Sequence, residues 1–337
     1  MAETEGETFA RKQEERDKEN DADFCRRNYP ITFAENMPIL AASRMAKLKI
    51  LETGTPLDKA SGIGGLPHGF IIELWGKTNS GKSTIAFQAV AAAQKAGIKC
   101  LWVDVEHTFR AYIANPQRTE AFGVDMDKLD VMLETTAEDY IDNTTEAVKG
   151  KKYGLIVMDS IGDLSSKIEQ EKTAEQRSIG VQASLMTKFI RTIVWMVDAY
   201  EIIFLVVNHE RMNMDGAIYQ MGGKKLEEKK KMSFRFREKV GAVLKQGDKT
   251  VGKVIRITVS KNHFAGTEKQ EIESNLLYNE GFSYAQDLLQ DAIDRGVISK
   301  DGNSHFFEGE KIGMIGKARE WIKEPDNAER IKKALSV

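Results

Sequence analysis

The sequence predicts an α/β fold with a mostly parallel central sheet, preceded by an N-terminal arm and followed by a small α+β domain. Three observations support this prediction. Short apolar runs alternate with helical stretches between residues 69 and 207, residues 1–28 hold nine acidic and six basic side chains, and the pattern after about residue 283 is mainly helical. Alternating strands and helices are typical of βαβ units, which cover both faces of a parallel sheet.

Length and composition exclude several other classes of protein. With 337 residues, of which 41% are hydrophobic, the chain can bury a substantial core. It has no apolar run of the roughly 18 residues that a membrane span needs, and its acidic N-terminus lacks the features of a secretory signal. Cys25 and Cys100 are the only cysteines, which predicts neither a disulfide framework nor a zinc site. We therefore expect a cytoplasmic protein without a membrane partner.

Three regions are expected along the chain. Residues 1–45 form the arm, which we expect to be partly disordered or docked on a neighbouring molecule. Residues 46–275 form the core, and residues 276–337 form the small C-terminal domain.

The elements of the core follow one another in a regular order. Five apolar runs are expected as parallel strands, and three stretches between them as helices. The strands are expected at 71–75, 100–104, 130–133, 155–159 and 202–207, and the helices at 82–96, 137–149 and about 181–200. Apolar residues recur every three or four positions on the last helix, which predicts packing against the core. Two alternating runs, 235–244 and 253–260, predict a β-hairpin.

One segment between the first strand and the first helix has the pattern of a phosphate-binding loop. Residues 76–83 match G-x-x-x-x-G-K-[ST] in full. In such a loop backbone N–H groups surround the phosphates, Lys82 can bridge the β- and γ-phosphates, and the Ser83 hydroxyl can bind Mg²⁺. The alternative, a chance glycine turn, is disfavoured by the strand–loop–helix context. The expected contacts are Gly76, Lys77, Thr78, Asn79, Ser80, Gly81, Lys82, Ser83 and Thr84.

Polar side chains also follow three predicted strands at the same edge of the sheet. Asp159 ends its strand and could act with Ser83 on the magnesium side, or it could cap the next helix. Glu106 could activate the attacking water, or it could be a solvated loop residue. Asn208 and His209 could sense the γ-phosphate, and a structural role for His209 is equally compatible with the sequence. Ligands of open α/β sheets bind at this edge, so we expect these groups to form one site.

Further stretches of the sequence carry a recognisable family pattern. Besides the phosphate loop, they are GGLPHG (64–69), VDVEH (103–107), VMDS (157–160), MGG (221–223) and SKN (260–262). From about Leu51 to the C-terminus the chain resembles the bacterial RecA recombinase family. The stretches YNEG (278–281), GEKIG (309–313) and KAREWI (317–322) look like the C-terminal domain of that family, which generic P-loop ATPases lack.

This resemblance implies a RecA-like P-loop ATPase core that uses ATP and Mg²⁺. It also implies a DNA-dependent ATPase that forms a helical filament on single-stranded DNA, holds ATP at subunit interfaces and pairs the strand with a homologous duplex. By the same resemblance Glu106 is the catalytic base, and Asp159 acts on Mg²⁺ through water. His209 stands where the family usually has a Gln that links the γ-phosphate to the DNA loops. Tyr112 lies near the family's adenine-stacking Tyr, and Lys261 reaches the phosphates of the neighbouring subunit.

The resemblance further implies two DNA-binding loops, at about 168–180 and about 210–225. The expected DNA contacts are Lys172, Arg177, Arg211, Gly222, Gly223, Lys224 and Lys225. Residues 224–239 hold eight basic and three acidic side chains, a local excess of five positive charges in a chain of net charge −2. This run offers a basic patch for DNA, although a solvated helix face is the usual alternative.

Three features depart from the family pattern. The family usually has two lysines where this chain has Lys261 and His263, and the charged stretch 224–228 replaces a more apolar one that couples subunits. The chain ends at Val337 without the acidic tail common in the family, so we expect less autoinhibited DNA binding.

Two other functions remain open. A RecA-fold hexameric helicase or motor would share the ATP site but should lack the C-terminal resemblance. A filament protein that binds DNA under the control of ATP, with little hydrolysis, is disfavoured by Glu106 but compatible with His263 and with the charged stretch 224–228.

Overall fold

The computed structural model describes residues 47–167, 181–213, 215–246 and 248–335. The arm expected at residues 1–45 lies outside the described residues. The strands are β1 (Ile50–Leu51), β2 (Leu66–Pro67), β3 (Ile71–Gly76), β4 (Cys100–Asp104), β5 (Leu129–Met132), β6 (Leu155–Asp159), β7 (Ile203–Met212), β8 (Ile218–Gln220), β9 (Met232–Gln246), β10 (Lys249–Asn262), β11 (Glu271–Leu277), β12 (Gly281–Phe282), β13 (Ile298–Asp301), β14 (Ser304–Phe307) and β15 (Glu310–Met314). The helices are α1 (Pro56–Ser61), α2 (Lys82–Lys95), α3 (Phe109–Ile113), α4 (Pro116–Ala121), α5 (Ala137–Lys149), α6 (Val181–Ala199), α7 (Gly223–Lys229), α8 (Tyr284–Asp294), α9 (Ile315–Trp321) and α10 (Pro325–Leu335).

The central sheet confirms the predicted fold class. Its strands lie in the order β5-β4-β6-β7-β3-β9-β10-β11-β12. Neighbours from β5 to β9 are parallel, whereas β9 to β12 are antiparallel. The five strands predicted as parallel are all present, and the predicted hairpin forms as β9 and β10, which are longer than expected. The β9 strand joins the hairpin to the parallel half, so the two halves make one continuous sheet.

Alternate residues of the parallel strands supply two separate cores, one on each face of the sheet. Ile72 and Leu74 of β3 pack on the face that α2 covers, whereas Ile71 packs with α5 and α6 on the other face. This division follows from the two-residue period of a strand. On α6 the predicted stripe is confirmed, because Phe189 and Ile193 are fully buried against the sheet.

The C-terminal segment contains more strand than the mainly helical pattern suggested. Strands β13, β14 and β15 form a separate antiparallel sheet, with a turn at residues 302–303 between the first two. They pack with α8, α9 and α10 around a third hydrophobic cluster that begins at Leu288. The central sheet itself continues to Phe282. The expected domain boundary at residue 275 stays a prediction.

A buried polar network fixes the middle of the central sheet. Glu73 of β3 is 0% exposed, and its carboxylate accepts hydrogen bonds from Lys230 Nζ (2.6 Å), Ser233 Oγ (2.8 Å) and Asn208 Nδ2 (2.8 Å). Lys230 is 1% exposed and also donates to Gln220 Oε1 (2.5 Å). Buried charges are tolerated only when they are paired and hydrogen-bonded. The network therefore joins β3 and β7 to β8, β9 and the end of α7.

We expect Lys230→Met to lower the free energy of unfolding by about 3–5 kcal/mol, because it leaves the Glu73 carboxylate buried without a counter-ion. Urea unfolding measures this change. Lys229→Met is the matched control, since Lys229 is exposed beside it and its loss should change stability little. Combining Glu73→Gln with Lys230→Met should recover most of the loss. If Lys230→Met is as stable as Lys229→Met, Lys230 does not stabilise the fold as the counter-ion of Glu73.

Candidate functional site

The phosphate loop connects β3 to α2 and requires glycine at two positions. Gly76 has φ +150° and Gly81 has φ +91°, which are left-handed values that other residues rarely adopt. A Cβ atom on Gly76 would lie 2.1 Å from the carbonyl oxygen of Phe236, and one on Gly81 would lie 2.8 Å from the ring of Phe282. The loop is therefore packed tightly against β9 and β12, and α2 begins directly after it, at Lys82.

Lys82 is held inside this loop. Its side chain is buried, and Nζ donates to the carbonyl oxygens of Gly76 (3.1 Å) and Lys77 (2.8 Å). Burial lowers the pKa of Lys82 from its usual value, although the nearby carboxylates Asp159 and Glu106 oppose that effect. An ammonium group in this position at a helix N-terminus suits an anionic ligand.

The residues around Asp159 fit a magnesium ion. Burial raises the pKa of Asp159 to about 7, and a hydrogen bond with the Ser83 hydroxyl partly opposes that rise. Within the described residues, Asp159 Oδ1 and Ser80 Oγ are buried without a hydrogen-bond partner. Mg²⁺ prefers oxygen ligands of these kinds. Ser83 and Asp159 could therefore hold Mg²⁺ as the sequence predicts, and a cation would satisfy a carboxylate that the protein leaves incompletely paired.

Glu106 and His209 meet at the carboxyl edge of the sheet, where the sequence predicts both. His209 Nε2 lies 2.6 Å from Glu106 Oε1, and both side chains are mostly buried. The hydrogen bond from His209 is the main cause that lowers the pKa of Glu106. Glu106 is therefore ionised near neutral pH and positioned to accept a proton or orient a water molecule.

A cavity of about 580 Å³ lies over the phosphate loop, and most of the residues predicted to contact the nucleotide line it. Tyr112 of α3 lines it, as the resemblance implies, together with Glu106 and His209. The sequence analysis missed Lys253 and Tyr278, which also line it. Lys253 Nζ donates to the carbonyl oxygen of Asn79 (2.7 Å) and pairs with Glu238 (2.8 Å). Tyr278 belongs to the YNEG stretch at 278–281, which resembles the RecA family. In contrast, the alternation of apolar and polar residues in β10 does not distinguish Lys253 from its polar neighbours.

The second predicted DNA loop is largely regular structure. Strand β7 continues past His209 to Met212, and Glu210 and Arg211 pair with Gln220 and Tyr219 of β8. Residues 210–212 and 218–220 are therefore paired strands of a hairpin. Arg211 is about half-exposed on it. Predicted contacts Lys172 and Arg177 of the first loop lie outside the described residues.

The remaining predicted DNA contacts lie at the start of α7. Gly222 is buried, and a Cβ atom there would lie 2.6 Å from Ile161 and 2.7 Å from Leu226. Gly222 precedes α7 in a left-handed backbone conformation, which glycine adopts readily. The fold alone therefore explains why this position is a glycine, and its contact with DNA stays a prediction. Gly223 and Lys224 are exposed, and Lys225 pairs with Glu228 (2.5 Å).

The basic run at 224–239 presents less positive charge to solvent than its composition suggests. Lys230 is buried against Glu73, and Arg235 pairs with Glu210 at 2.7 Å. Lys261, which lies outside this run, is also engaged within the chain, since its Nζ donates to the carbonyl oxygen of Glu227 (2.6 Å). His263 is exposed, and partial desolvation, together with neighbouring lysines, lowers its pKa.

Comparison with known proteins agrees with this architecture. The RecA N-terminal domain family matches residues 34–283. The chain belongs to the RecA family. A protein of Ruegeria pomeroyi named Protein RecA is 33% identical over 263 residues, which cover 77% of this chain and 73% of that protein. Membership of the RecA family supports a RecA-like recombinase that binds ATP and DNA. Among the helices that the structure describes in this RecA-family protein, none is long and apolar enough to cross a bilayer.

We expect Asp159→Asn to stabilise this RecA-family protein in the absence of Mg²⁺ and nucleotide. The pKa of Asp159 rises from 3.8 to about 7 on folding, so its contribution to stability is present at low pH and is lost as the pH rises through that window. The advantage of the variant in free energy of unfolding should therefore grow from about pH 4 to about pH 7 and level off above.

Urea unfolding in EDTA at several pH values measures this advantage, with exposed Asp142→Asn as the control. Addition of Mg²⁺ and nucleotide should then stabilise the parent more than the Asp159 variant. If Asp159→Asn is less stable than the parent at pH 8 in EDTA, burial does not destabilise the ionised Asp159 carboxylate.

Proposed function

We propose that this chain is an ATP-dependent DNA recombinase. It hydrolyses ATP when bound to single-stranded DNA, forms a helical filament on that strand and exchanges it with a homologous duplex. The observation that carries the proposal is the 2.6 Å contact between Glu106 and His209. It connects the candidate base of ATP hydrolysis to strand β7, which continues into the hairpin that bears Arg211.

The geometry supports the following roles in hydrolysis. The backbone of residues 76–84 and Lys82 would bind the phosphates of ATP at the N-terminus of α2. Mg²⁺, held by Ser83 and through water by Asp159, would neutralise charge on the phosphate oxygens. Glu106 would orient the attacking water and accept its proton, while the bond between the γ-phosphorus and the bridging oxygen breaks to release ADP and phosphate.

DNA and nucleotide are proposed to communicate through β7. His209 and Arg211 are two residues apart on this strand, so their side chains point to the same face. His209 would sense the γ-phosphate, whereas Arg211, Lys224 and Lys225 would contact DNA phosphates, together with Lys172 and Arg177. A change at either ligand would then reach the other through a rigid strand.

ATP is proposed to lie between subunits, with Lys261 of one subunit reaching the phosphates bound to the next. Cations that touch the γ-phosphate across an interface would favour the filament with ATP over that with ADP. The lowered pKa of His263 keeps it uncharged at neutral pH, so Lys261 supplies the permanent cation. The cytoplasmic location stays a prediction.

The Glu106 contact also favours a second candidate function. Because His209 occupies a carboxylate oxygen of Glu106, the chain could bind ATP and DNA as a switched filament that hydrolyses ATP very slowly. The hexameric motor has no comparable support. The C-terminal β-rich region, with strands β13 to β15 and a hydrophobic cluster of its own, favours the recombinase, because the motor should lack the C-terminal resemblance.

We expect single-stranded DNA to stimulate ATP hydrolysis, and Glu106→Gln to reduce the stimulated rate by about 10²- to 10⁴-fold through loss of the general base. Phosphate release measures both. Glu120→Gln, at an exposed position outside the cavity, is the matched control and should retain the stimulated rate. Tight DNA binding with ATP but negligible turnover in the parent would favour the switched filament. Neither binding nor stimulation would refute the recombinase.

We expect His263→Lys to raise DNA-stimulated hydrolysis, because it adds a permanent cation beside Lys261. The pKa of His263 lies below its usual value of 6.5, so the parent loses the His263 charge as the pH rises, and the advantage of the variant should grow between about pH 6 and pH 8. Gln270→Lys adds a charge at another exposed position and controls for net charge. Equal pH profiles for parent and His263→Lys would exclude this role.

A further inference from the structure

Asp163 lies beside the candidate hydrolytic site, between His209 and Arg211. It ends the 3₁₀ turn Ile161–Asp163 that follows β6, and it accepts a hydrogen bond from the Ser160 hydroxyl. Its Oδ2 lies 3.6 Å from His209 Nε2, and its Oδ1 lies 3.8 Å from the Arg211 guanidinium. Glu106, His209, Asp163 and Arg211 therefore form a row of alternating acceptors and donors.

Two carboxylates compete for one nitrogen of His209. Nε2 lies near an oxygen of each carboxylate, and at 2.6 Å from Glu106 Oε1 it must carry the hydrogen of that bond, because a carboxylate oxygen accepts. A neutral imidazole has only one N–H to donate. Glu106 is 2.6 Å away and holds it, whereas Asp163 is a full ångström farther. The positive charge of Arg211 beside Asp163 weakens Asp163 as an acceptor, which leaves His209 with Glu106.

The ion pair between Asp163 and Arg211 is weak, so Arg211 can exchange Asp163 for another anion. Their side chains are 38% and 48% exposed, and ion pairs with this exposure contribute little to stability. A DNA phosphate binds a guanidinium through two charge-assisted hydrogen bonds, which a carboxylate at 3.8 Å does not make. Arg211 should therefore leave Asp163 when DNA arrives.

We propose that Asp163 is a positioning residue that releases Glu106 when DNA binds. With Arg211 on a phosphate, the Asp163 carboxylate loses the neighbouring guanidinium charge, becomes a stronger acceptor and attracts the Nε2–H of His209 away from Glu106. Glu106 then has a free oxygen to orient the attacking water. The inference rests on the proposed ATP hydrolysis and adds to it the route by which DNA switches it on. In DNA-free protein the same contacts keep hydrolysis slow.

The test is a double-mutant cycle on DNA-independent hydrolysis. Arg211→Gln should raise the DNA-free rate by about two- to fivefold, the range that an exposed ion pair allows, because it frees Asp163 without DNA. Adding Asp163→Asn should abolish that gain. An Arg211 that only contacts DNA would lose stimulation without any gain in the DNA-free rate. Lys188→Gln, which removes an exposed cation of α6, is the control and should keep the parent's DNA-free rate.

Asp163→Asn alone should reduce the ratio of DNA-stimulated to DNA-free hydrolysis, and Asp163→Glu should restore part of it. The relay is overturned if the parent is stimulated by DNA and Glu106→Gln is inactive, yet Arg211→Gln shows the parent's DNA-free rate. It is also overturned if the variant that combines Arg211→Gln with Asp163→Asn keeps the raised DNA-free rate. If DNA does not stimulate the parent at all, the proposed function fails, and the relay fails with it.

Discussion

The hydrogen bond between Asn208 and Glu73 is the interaction on which the site depends. Asn208 lies where β7 leaves the core, and its Nδ2 donates to Glu73 Oε1 (2.8 Å) and to the carbonyl oxygen of Met221 (2.7 Å). Its Oδ1 accepts from the backbone N–H of His209 (2.8 Å). Because Glu73 is itself neutralised by Lys230, one buried network sets the position of His209 and ties down the segment between β8 and α7. The strand that reaches the nucleotide cavity and the hairpin proposed to touch DNA therefore share one anchor.

The site contains groups that the folded protein alone stabilises poorly. Burial raises the pKa of Asp159 and lowers that of Lys82, so each is less favourable in its charged form than it would be in water. A magnesium ion and a phosphate chain would provide the opposite charges. This arrangement is typical of ligand sites, where stability is sacrificed for binding. It differs from the Glu73–Lys230 pair, in which the protein supplies both charges itself.

Local patterns predicted most of the fold and the central part of the site. The strand β6 and the helix α5 begin and end where the sequence indicates, because apolar runs and helical periodicity are local signals. The phosphate loop, Glu106 and His209 meet because parallel strands end at one edge. Lys253 and Asp163 were missed for a different reason. Lys253 reaches the loop only through the register of β10 against β9 and β11. Asp163 reaches Arg211 only because β7 continues beyond its pairing with β3. The basic run was overestimated, since sequence alone does not reveal that Lys230 points inward.

We propose that nucleotide and DNA act on one chain through an assembly in which ATP lies between subunits. Electron cryo-microscopy of the chain with single-stranded DNA and a non-hydrolysable ATP analogue tests this arrangement. We expect a helical filament with the analogue on residues 76–84, Lys261 of the adjacent subunit facing its γ-phosphate, and the β7–β8 hairpin against the DNA. Closed rings, or filaments with the nucleotide away from every subunit interface, would contradict it.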